Sequence, residues 1–221
     1  MVMQSLWWQL FDILGTTAFA LSGTMVAVSR RMDIFGVFVL AAATAVGGGI
    51  LRDVIIGNIP PAALRDDLYL WIVIITIAVT CAIIRYITMR RDLMDRFKNV
   101  YLMSDAIGLG SFTVTGTMLG CSYYPNMWVL AVTLGVVTAI GGGVIRDVLA
   151  GQVPIIFLQD IYASASLIGS CMLYITFIIL GIPAEISCII GFSITLILRM
   201  LAIHFHWNLP RVRRKRRDDI L

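Results

Sequence analysis

Charge is what this sequence has least of. It carries 17 Lys and Arg and 13 Asp and Glu in 221 residues, or 14%, where a soluble domain has about a quarter. Apolar residues make up 59% and the mean hydropathy is +0.92, so one water-soluble core could not hide the apolar surface, and a soluble protein is excluded. Histidine is nearly absent: His204 and His206 stand together at the end of the last apolar stretch, where solvation explains them without a metal. The four cysteines, Cys81, Cys121, Cys171 and Cys188, lie in or beside apolar stretches with no metal-ligand spacing and read as packing residues. HExxH, a nucleophile and base pair, and cofactor fingerprints are all missing, which argues against an enzyme and implies no metal or cofactor. Lys and Arg are missing before Trp7, and the apolar run there is about twice the length of a signal-peptide core. It reads as a retained first helix.

What is present is a series of long apolar stretches. Seven candidates cover about 6–28, 34–57, 68–89, 100–120, 126–151, 159–181 and 183–206, each near the 20 or so residues needed to cross the hydrocarbon. Turn residues separate them: Asn58, Pro60 and Pro61; Tyr124, Pro125 and Asn126; Gly181 and Pro183. The expected fold is therefore all-α and membrane-integral, one transmembrane domain over 1–207 followed by a basic tail over 208–221. With seven spans, one side of the membrane receives Arg30, Arg31, Arg90, Arg91, Arg96, Lys98, Arg211, Arg213, Arg214, Lys215, Arg216 and Arg217, and the other receives only Arg65. By the positive-inside rule the first side is cytoplasmic, with the N-terminus outside and the C-terminus inside. The tail reads as a stop signal that can contact anionic lipid, and a nucleic-acid partner is not expected. Trp7, Trp8, Tyr69, Trp71, Tyr124, Trp128 and Trp207 fall at span ends like an interfacial aromatic belt.

An internal repeat carries the most information. Residues 44–60, TAVGGGILRDVIIGNIP, align without a gap to residues 138–154, TAIGGGVIRDVLAGQVP, and Asp12, Gly15, Phe19 and Gly23 align to Asp105, Gly108, Phe112 and Gly116. Each unit then holds three helices, the first about 6–89 and the second about 100–181. Three is odd, so the second unit must cross in the opposite sense. The result is an inverted pair plus a seventh helix at about 183–206, an arrangement typical of transporters.

Two features lie at the centre of each unit. The triplets Gly47, Gly48, Gly49 and Gly141, Gly142, Gly143 cost roughly 1 kcal/mol per residue relative to alanine inside a helix, which predicts a kink or break lining a path; close packing by small residues is the alternative. Beside them stand Arg52, Asp53, Arg146 and Asp147, ionisable residues at membrane depth that imply function by default. Neighbours in sequence do not face each other on a helix, so each arginine is expected to find another partner. At 1.5 Å per residue, Asp12 comes level with Arg52 in the outer half and Asp105 with Arg146 in the inner half. Two symmetry-related Asp/Arg pairs are the expectation, with either a transport or a purely structural role. Arg85 and Arg199 lie near span ends within reach of snorkelling, and Arg199, the deeper one, is a candidate path-lining charge.

The doubled GGG-x-x-R-D motif, the opening DILGTTAFALSGTMVAV followed by RRMD and GVFVL, and the closing stretch from Arg199 to Leu209 resemble the bacterial glycine-transporter family of inner-membrane proteins, the YadS/YicG group, which is related to the trimeric intracellular cation (TRIC) channels. The resemblance runs from about residue 10 to 209. It implies a homotrimer in the bacterial inner membrane, with a path in each protomer and glycine-rich kinks at the two triplets in helices two and five, Arg52 and Arg146 close to that path.

Two solute classes fit these residues. A small zwitterion such as glycine needs a cation, an anion or carbonyls, and a small cavity, which the Arg, Asp and glycine positions supply together. A potassium path needs carbonyl or carboxylate oxygens, and unpaired arginines in it would repel the ion. A membrane scaffold that transports nothing is the outside alternative.

Overall fold

The computed structural model describes residues 5–87, 94–158 and 161–205. Arg90, Arg91, His206, Trp207 and the basic tail from Arg211 to Arg217 lie outside the described residues, as does the side chain of Arg96. The described residues form helices α1 (Leu6–Ser29), α2 (Ile34–Ile55), a single turn α3 (Ala62–Arg65), α4 (Asp67–Ile87), α5 (Met94–Tyr123), α6 (Trp128–Leu149), a single turn α7 (Ile155–Leu158), α8 (Ala163–Tyr174) running into a π-helical turn (Ile175–Ile179), and α9 (Ala184–Phe205). The order long, long, one turn, long thus occurs twice, and α9 follows alone.

Local chemistry sets the helix ends. Ser5 caps α1, its hydroxyl accepting from the Trp8 amide at 3.4 Å, and Asp33 caps α2 by accepting from Gly36 N at 2.7 Å. Both α2 and α6 end in the same way. Asn58 N donates to Asp53 O and Gly57 N to Val54 O; Gln152 N donates to Asp147 O and Gly151 N to Val148 O. Gly57 (φ 73°) and Gly151 (φ 67°) sit in the left-handed conformation this closure needs.

The centre of the bundle is α1, α2, α5 and α6, which pack most closely against one another; α8 and α9 pair beside α5, and α4 lies against α1 and α2. Its exposure pattern is inverted relative to a soluble protein. Thr24, Thr44, Ser104, Thr113, Thr117, Thr138, Ser166 and Ser170 are buried, while Leu10, Phe35, Leu70, Ile75, Ile83, Val129, Ile189 and Ile197 are exposed. In water that arrangement would be destabilising; in hydrocarbon it is what is expected, with small polar residues joining helices inside. Buried hydroxyls bond to carbonyls one turn earlier, as Thr44 does to Leu40 O (2.6 Å) and Thr138 to Leu134 O (2.5 Å). Others bridge helices: Thr113 to Ser166 (2.8 Å) and Thr117 to Ser170 (3.0 Å) tie α5 to α8.

Among the described residues five helices are long and apolar enough to cross a membrane: α1, α2, α4 over Asp67–Tyr86, α6 and α9. The apolar helix Ala163–Ile179 is shorter. The 30-residue α5 is diluted by Ser, Thr and Gly over 104–117, where it is buried almost throughout and meets no lipid that would require apolar side chains.

Of the kink or break expected at the glycine triplets, the break is corrected. Both α2 and α6 run through Gly47–Gly49 and Gly141–Gly143 as continuous helix. The glycines serve close approach instead. A Cβ on Gly48 would stand 2.1 Å from Thr138 O, and one on Gly142 would stand 2.1 Å from Thr44 O, so the two helices cross backbone to backbone. Broken backbone hydrogen bonds are costly where water is absent, and the crossing uses the missing side chains without breaking any. A second correction concerns Trp8. It is only 4% exposed and not part of a belt, because its Nε1 donates to Thr115 O at 3.1 Å inside the bundle.

Candidate functional site

The first buried cluster is assembled from α1, α2 and α4. Asp12 (α1) and Arg52 (α2) face each other with Oδ1 3.8 Å from Nη1. Arg52 Nε also donates to Asp53 Oδ1 at 2.9 Å, and Asp53 Oδ2 accepts from Ala62 N at 2.8 Å, which pins the start of α3. Tyr69 (α4) donates its hydroxyl to Asp12 Oδ2. The Arg52 guanidinium lies over the Trp8 ring, 5.4 Å from its centre.

The second cluster repeats the first with residues from α5, α6 and the start of α8. Asp105 (α5) and Arg146 (α6) are 2.7 Å apart through Nη1, Arg146 Nε donates to Asp147 Oδ1 at 2.8 Å, and Asp147 Oδ2 accepts from Ile155 N at 2.8 Å at the start of α7. Tyr162 donates to Asp105 Oδ1 at 3.3 Å, and Arg146 stacks on Tyr101 at 5.2 Å. Two bonds have no counterpart in the first cluster: Arg146 Nη1 donates to Ser22 Oγ on α1 at 2.6 Å, and Gln152 Nε2 donates to Asp147 Oδ1 at 2.9 Å. Gln152 in turn accepts from Arg30 Nη2 at 2.8 Å.

Arg52, Asp53, Arg146 and Asp147 are no more than 2% exposed and Asp12 is 4% exposed. Burying such charges is unfavourable unless they are paired and hydrogen-bonded, and here each arginine holds two carboxylates. The expectation that neither would meet its sequence neighbour is corrected. The Arg Nε reaches the adjacent Asp because that carboxylate is held back at the helix end by the amide nine or eight residues on, Ala62 or Ile155. Asp53→Ala removes the acceptor from both Arg52 Nε and Ala62 N. It is expected to lower stability by about 2–4 kcal/mol, read as the shift in an equilibrium unfolding midpoint in mixed detergent; an unchanged midpoint would mean the α3 contact is incidental.

The third glycine of each triplet faces its guanidinium: a Cβ on Gly49 would be 3.7 Å from Arg52 Nη2, and one on Gly143 3.6 Å from Arg146 Nη2. Gly47 meets Ile145 and Gly141 meets Gly48, so the two triplets are brought together at the α2/α6 crossing. Arg199 does not snorkel. It is 1% exposed, its Nη1 donates to Ile161 O at 3.3 Å, and its guanidinium lies 4.8 Å from the Tyr162 ring centre. It thus joins the second cluster through Tyr162, whereas Arg85 is exposed.

Sequence reading missed Trp8, Tyr69, Tyr101, Tyr162 and Ser22. The signal was available for four of them: Tyr101 follows Trp8, and Tyr162 follows Tyr69, at the 93-residue spacing that separates Asp12 from Asp105.

An open cleft of about 440 Å³ reaches the first cluster, lined by Trp8, Gln9, Asp12, Ala62, Arg65 and Tyr69 among others. A smaller space of about 10 Å³ is bounded by Asp12, Thr16, Gly49, Arg52, Tyr69 and Phe112. Asp12 and Tyr69 border both spaces.

A family profile described as Glycine transporter matches the chain twice, over residues 9–85 and 102–177. The UPF0126 inner membrane protein YadS of Escherichia coli K12 is 37% identical over 199 residues, covering 90% of this chain and 93% of that protein. A chain solved to give the structural basis for conductance through TRIC cation channels superposes with a TM-score of 0.81 at 38% identity, covering 94% of this chain and 98% of the other. The TRIC trimeric intracellular cation channel orthologue from Rhodobacter sphaeroides gives a TM-score of 0.78 at 30% identity, over 90% and 98%.

Proposed function

This chain belongs to the Glycine transporter family, and we propose that it moves a small solute, glycine or a similarly small amino acid, through a path inside each protomer that passes the two Asp/Arg clusters beside the glycine triplets. The duplicated cluster carries the reading. Two guanidiniums, each with two carboxylates and an aromatic face, are conserved in geometry between the halves of one chain and buried where charge is unfavourable.

The same geometry supports an inverted pair of three-helix units with α9 as the seventh span. Arg52 meets α1 at Asp12, whereas Arg146 meets it at Ser22, ten residues or about 15 Å further along the helix, so α2 and α6 arrive at α1 from opposite ends. In the proposed assembly the protein is a homotrimer of the bacterial inner membrane, with the N-terminus outside and the C-terminus in the cytoplasm, where the basic tail can meet anionic lipid. The solved neighbours that are TRIC channels supply the trimer by analogy.

A monovalent-cation channel is the second reading, and one observation favours it. The four carboxylates of the two clusters, Asp12, Asp53, Asp105 and Asp147, outnumber the three guanidiniums of Arg52, Arg146 and Arg199, so the arginines need not repel a cation. Side-by-side flux of labelled glycine and of potassium into proteoliposomes separates the two. Saturable glycine uptake without potassium leak is the expected result; potassium flux indifferent to glycine would replace this reading with the channel, and neither flux would leave a scaffold.

A further inference from the structure

Matching amide side chains just beyond α2 and α6 are used differently. In the aligned repeat Asn58 corresponds to Gln152. Gln152 accepts from Arg30 Nη2 at 2.8 Å and donates to Asp147 Oδ1 at 2.9 Å. An amide can join a cation to a carboxylate in this way because it carries both an acceptor and a donor. Arg30 caps the end of α1 in the first unit and Gln152 follows the end of α6 in the second, so this chain of bonds crosses between the units at one face of the bundle. It also runs inward, since Asp147 Oδ1 accepts from Arg146 Nε at 2.8 Å as well.

The inverted arrangement puts Asn58 at the opposite face, and there the chain is interrupted. Asn58 is one methylene shorter, and its Oδ1 accepts from Arg65 Nη2 at 3.1 Å within its own unit. Its Nδ2 is buried with no partner among the described residues, so it does not reach Asp53 as Gln152 reaches Asp147. The open cleft of about 440 Å³, lined by Arg65, lies on that side. Trp8 Nε1 also crosses between the units there, to Thr115 O, but inside the bundle. Arg30, by contrast, is exposed and Gln152 half-buried, so water can replace their bonds at little net cost. That suits a contact that opens and closes.

Inverted units that rock against each other open one face at a time, and a bond between them at a given face has to break when that face opens. We propose that Arg30, Gln152 and Asp147 form a latch that holds the cytoplasmic ends of α1 and α6 together, and that its release lets the solute leave on that side. This rests on the transport reading above and adds to it which contact governs the inner face. The conformation described is then the latched one, with the cleft open on the outer side.

Two measurements in proteoliposomes test it. In the double variant Arg30→Cys, Gln152→Cys, bridging the two thiols with a short bis-methanethiosulfonate is expected to cut glycine uptake at least about tenfold, because a covalent bridge cannot release, and a thiol reductant is expected to restore it. Each single-cysteine variant treated in the same way controls for reaction at Cys81, Cys121, Cys171 and Cys188 and is expected to keep its untreated rate. Arg30→Ala removes the latch without a tether, so fewer molecules present the outer cleft. In right-side-out vesicles its half-saturating glycine concentration is expected to rise by up to about tenfold while the unfolding midpoint holds. Full uptake by the bridged protein, or an unchanged half-saturation in Arg30→Ala, would overturn the latch and leave the transport function intact. Wild-type vesicles that pass potassium and ignore glycine would overturn the transport reading, and the latch with it.

Discussion

Arg146→Gln is expected to destabilise the protein by about 3–5 kcal/mol, the usual effect of removing one partner from a buried, hydrogen-bonded charge pair. The guanidinium holds Asp105 at 2.7 Å and Asp147 at 2.8 Å, and both carboxylates are no more than 1% exposed. Its removal leaves two like charges with no cation between them and no water to solvate them. The neighbouring bonds fall with it: Ser22 on α1 loses its partner, and Asp147 must hold Ile155 and Gln152 without charge compensation. Unfolding by a graded ionic detergent would show the loss as an earlier midpoint. Arg52→Gln is expected to cost less, because its contact to Asp12 is already 3.8 Å long and that carboxylate keeps Tyr69. Equal losses in the two variants would mean that the shorter Arg146–Asp105 contact contributes nothing beyond the longer one between Arg52 and Asp12. Adding Asp105→Asn to Arg146→Gln should recover part of the stability, since the uncompensated charge and not the missing contact is the larger cost.

Within each triplet the glycines are expected to answer alanine differently. Gly48→Ala and Gly142→Ala would place a methyl carbon 2.1 Å from a backbone carbonyl oxygen, where ordinary contact is 3.4–4 Å. The obstructing atoms, Thr138 O and Thr44 O, are fixed in helices and cannot rotate aside. The α2/α6 crossing must open, at a cost of about 1–3 kcal/mol or more for each change, and the double variant is expected to lose both assembly and flux. Gly49→Ala meets nothing closer than Arg52 Nη2 at 3.7 Å and gains up to about 1 kcal/mol of helix propensity, so its stability should hold or rise. Detergent unfolding midpoints compare all three variants. If the triplet were a hinge, Gly49→Ala would impair flux as severely as Gly48→Ala, and that pattern would refute the packing role assigned here.

The triplets also show where sequence reading stops. Propensity alone makes three consecutive glycines the weakest point of a helix, and the reading of a break followed from that. What overrides propensity is the partner: Gly48 and Gly142 lie against Thr138 and Thr44 on the opposite helix, and contact of that kind has no trace in the local sequence. The adjacent Arg and Asp are a similar case. The rule that sequence neighbours face apart holds for short side chains, but Arg52 is long enough to reach an Asp53 that Ala62 N holds in place. Trp8 was misplaced for the same reason, since position near a span end says nothing about which way an indole points.

By itself the sequence determined the membrane-embedded helical class, because too little charge for so much apolar surface admits no other solvent. It also determined the duplication and the level at which Asp12 meets Arg52 and Asp105 meets Arg146, because helical rise converts residue number directly into depth. Only the tertiary structure decided that the triplets are a crossing, that Tyr69 and Tyr162 complete the clusters, and that Arg146 bonds Asp105 and Ser22 through Nη1 while Arg52 Nη1 stands 3.8 Å from Asp12. Those outcomes depend on side chains from other helices arriving within 3 or 4 Å, and residues 93 apart can repeat in kind while their neighbours across the bundle do not.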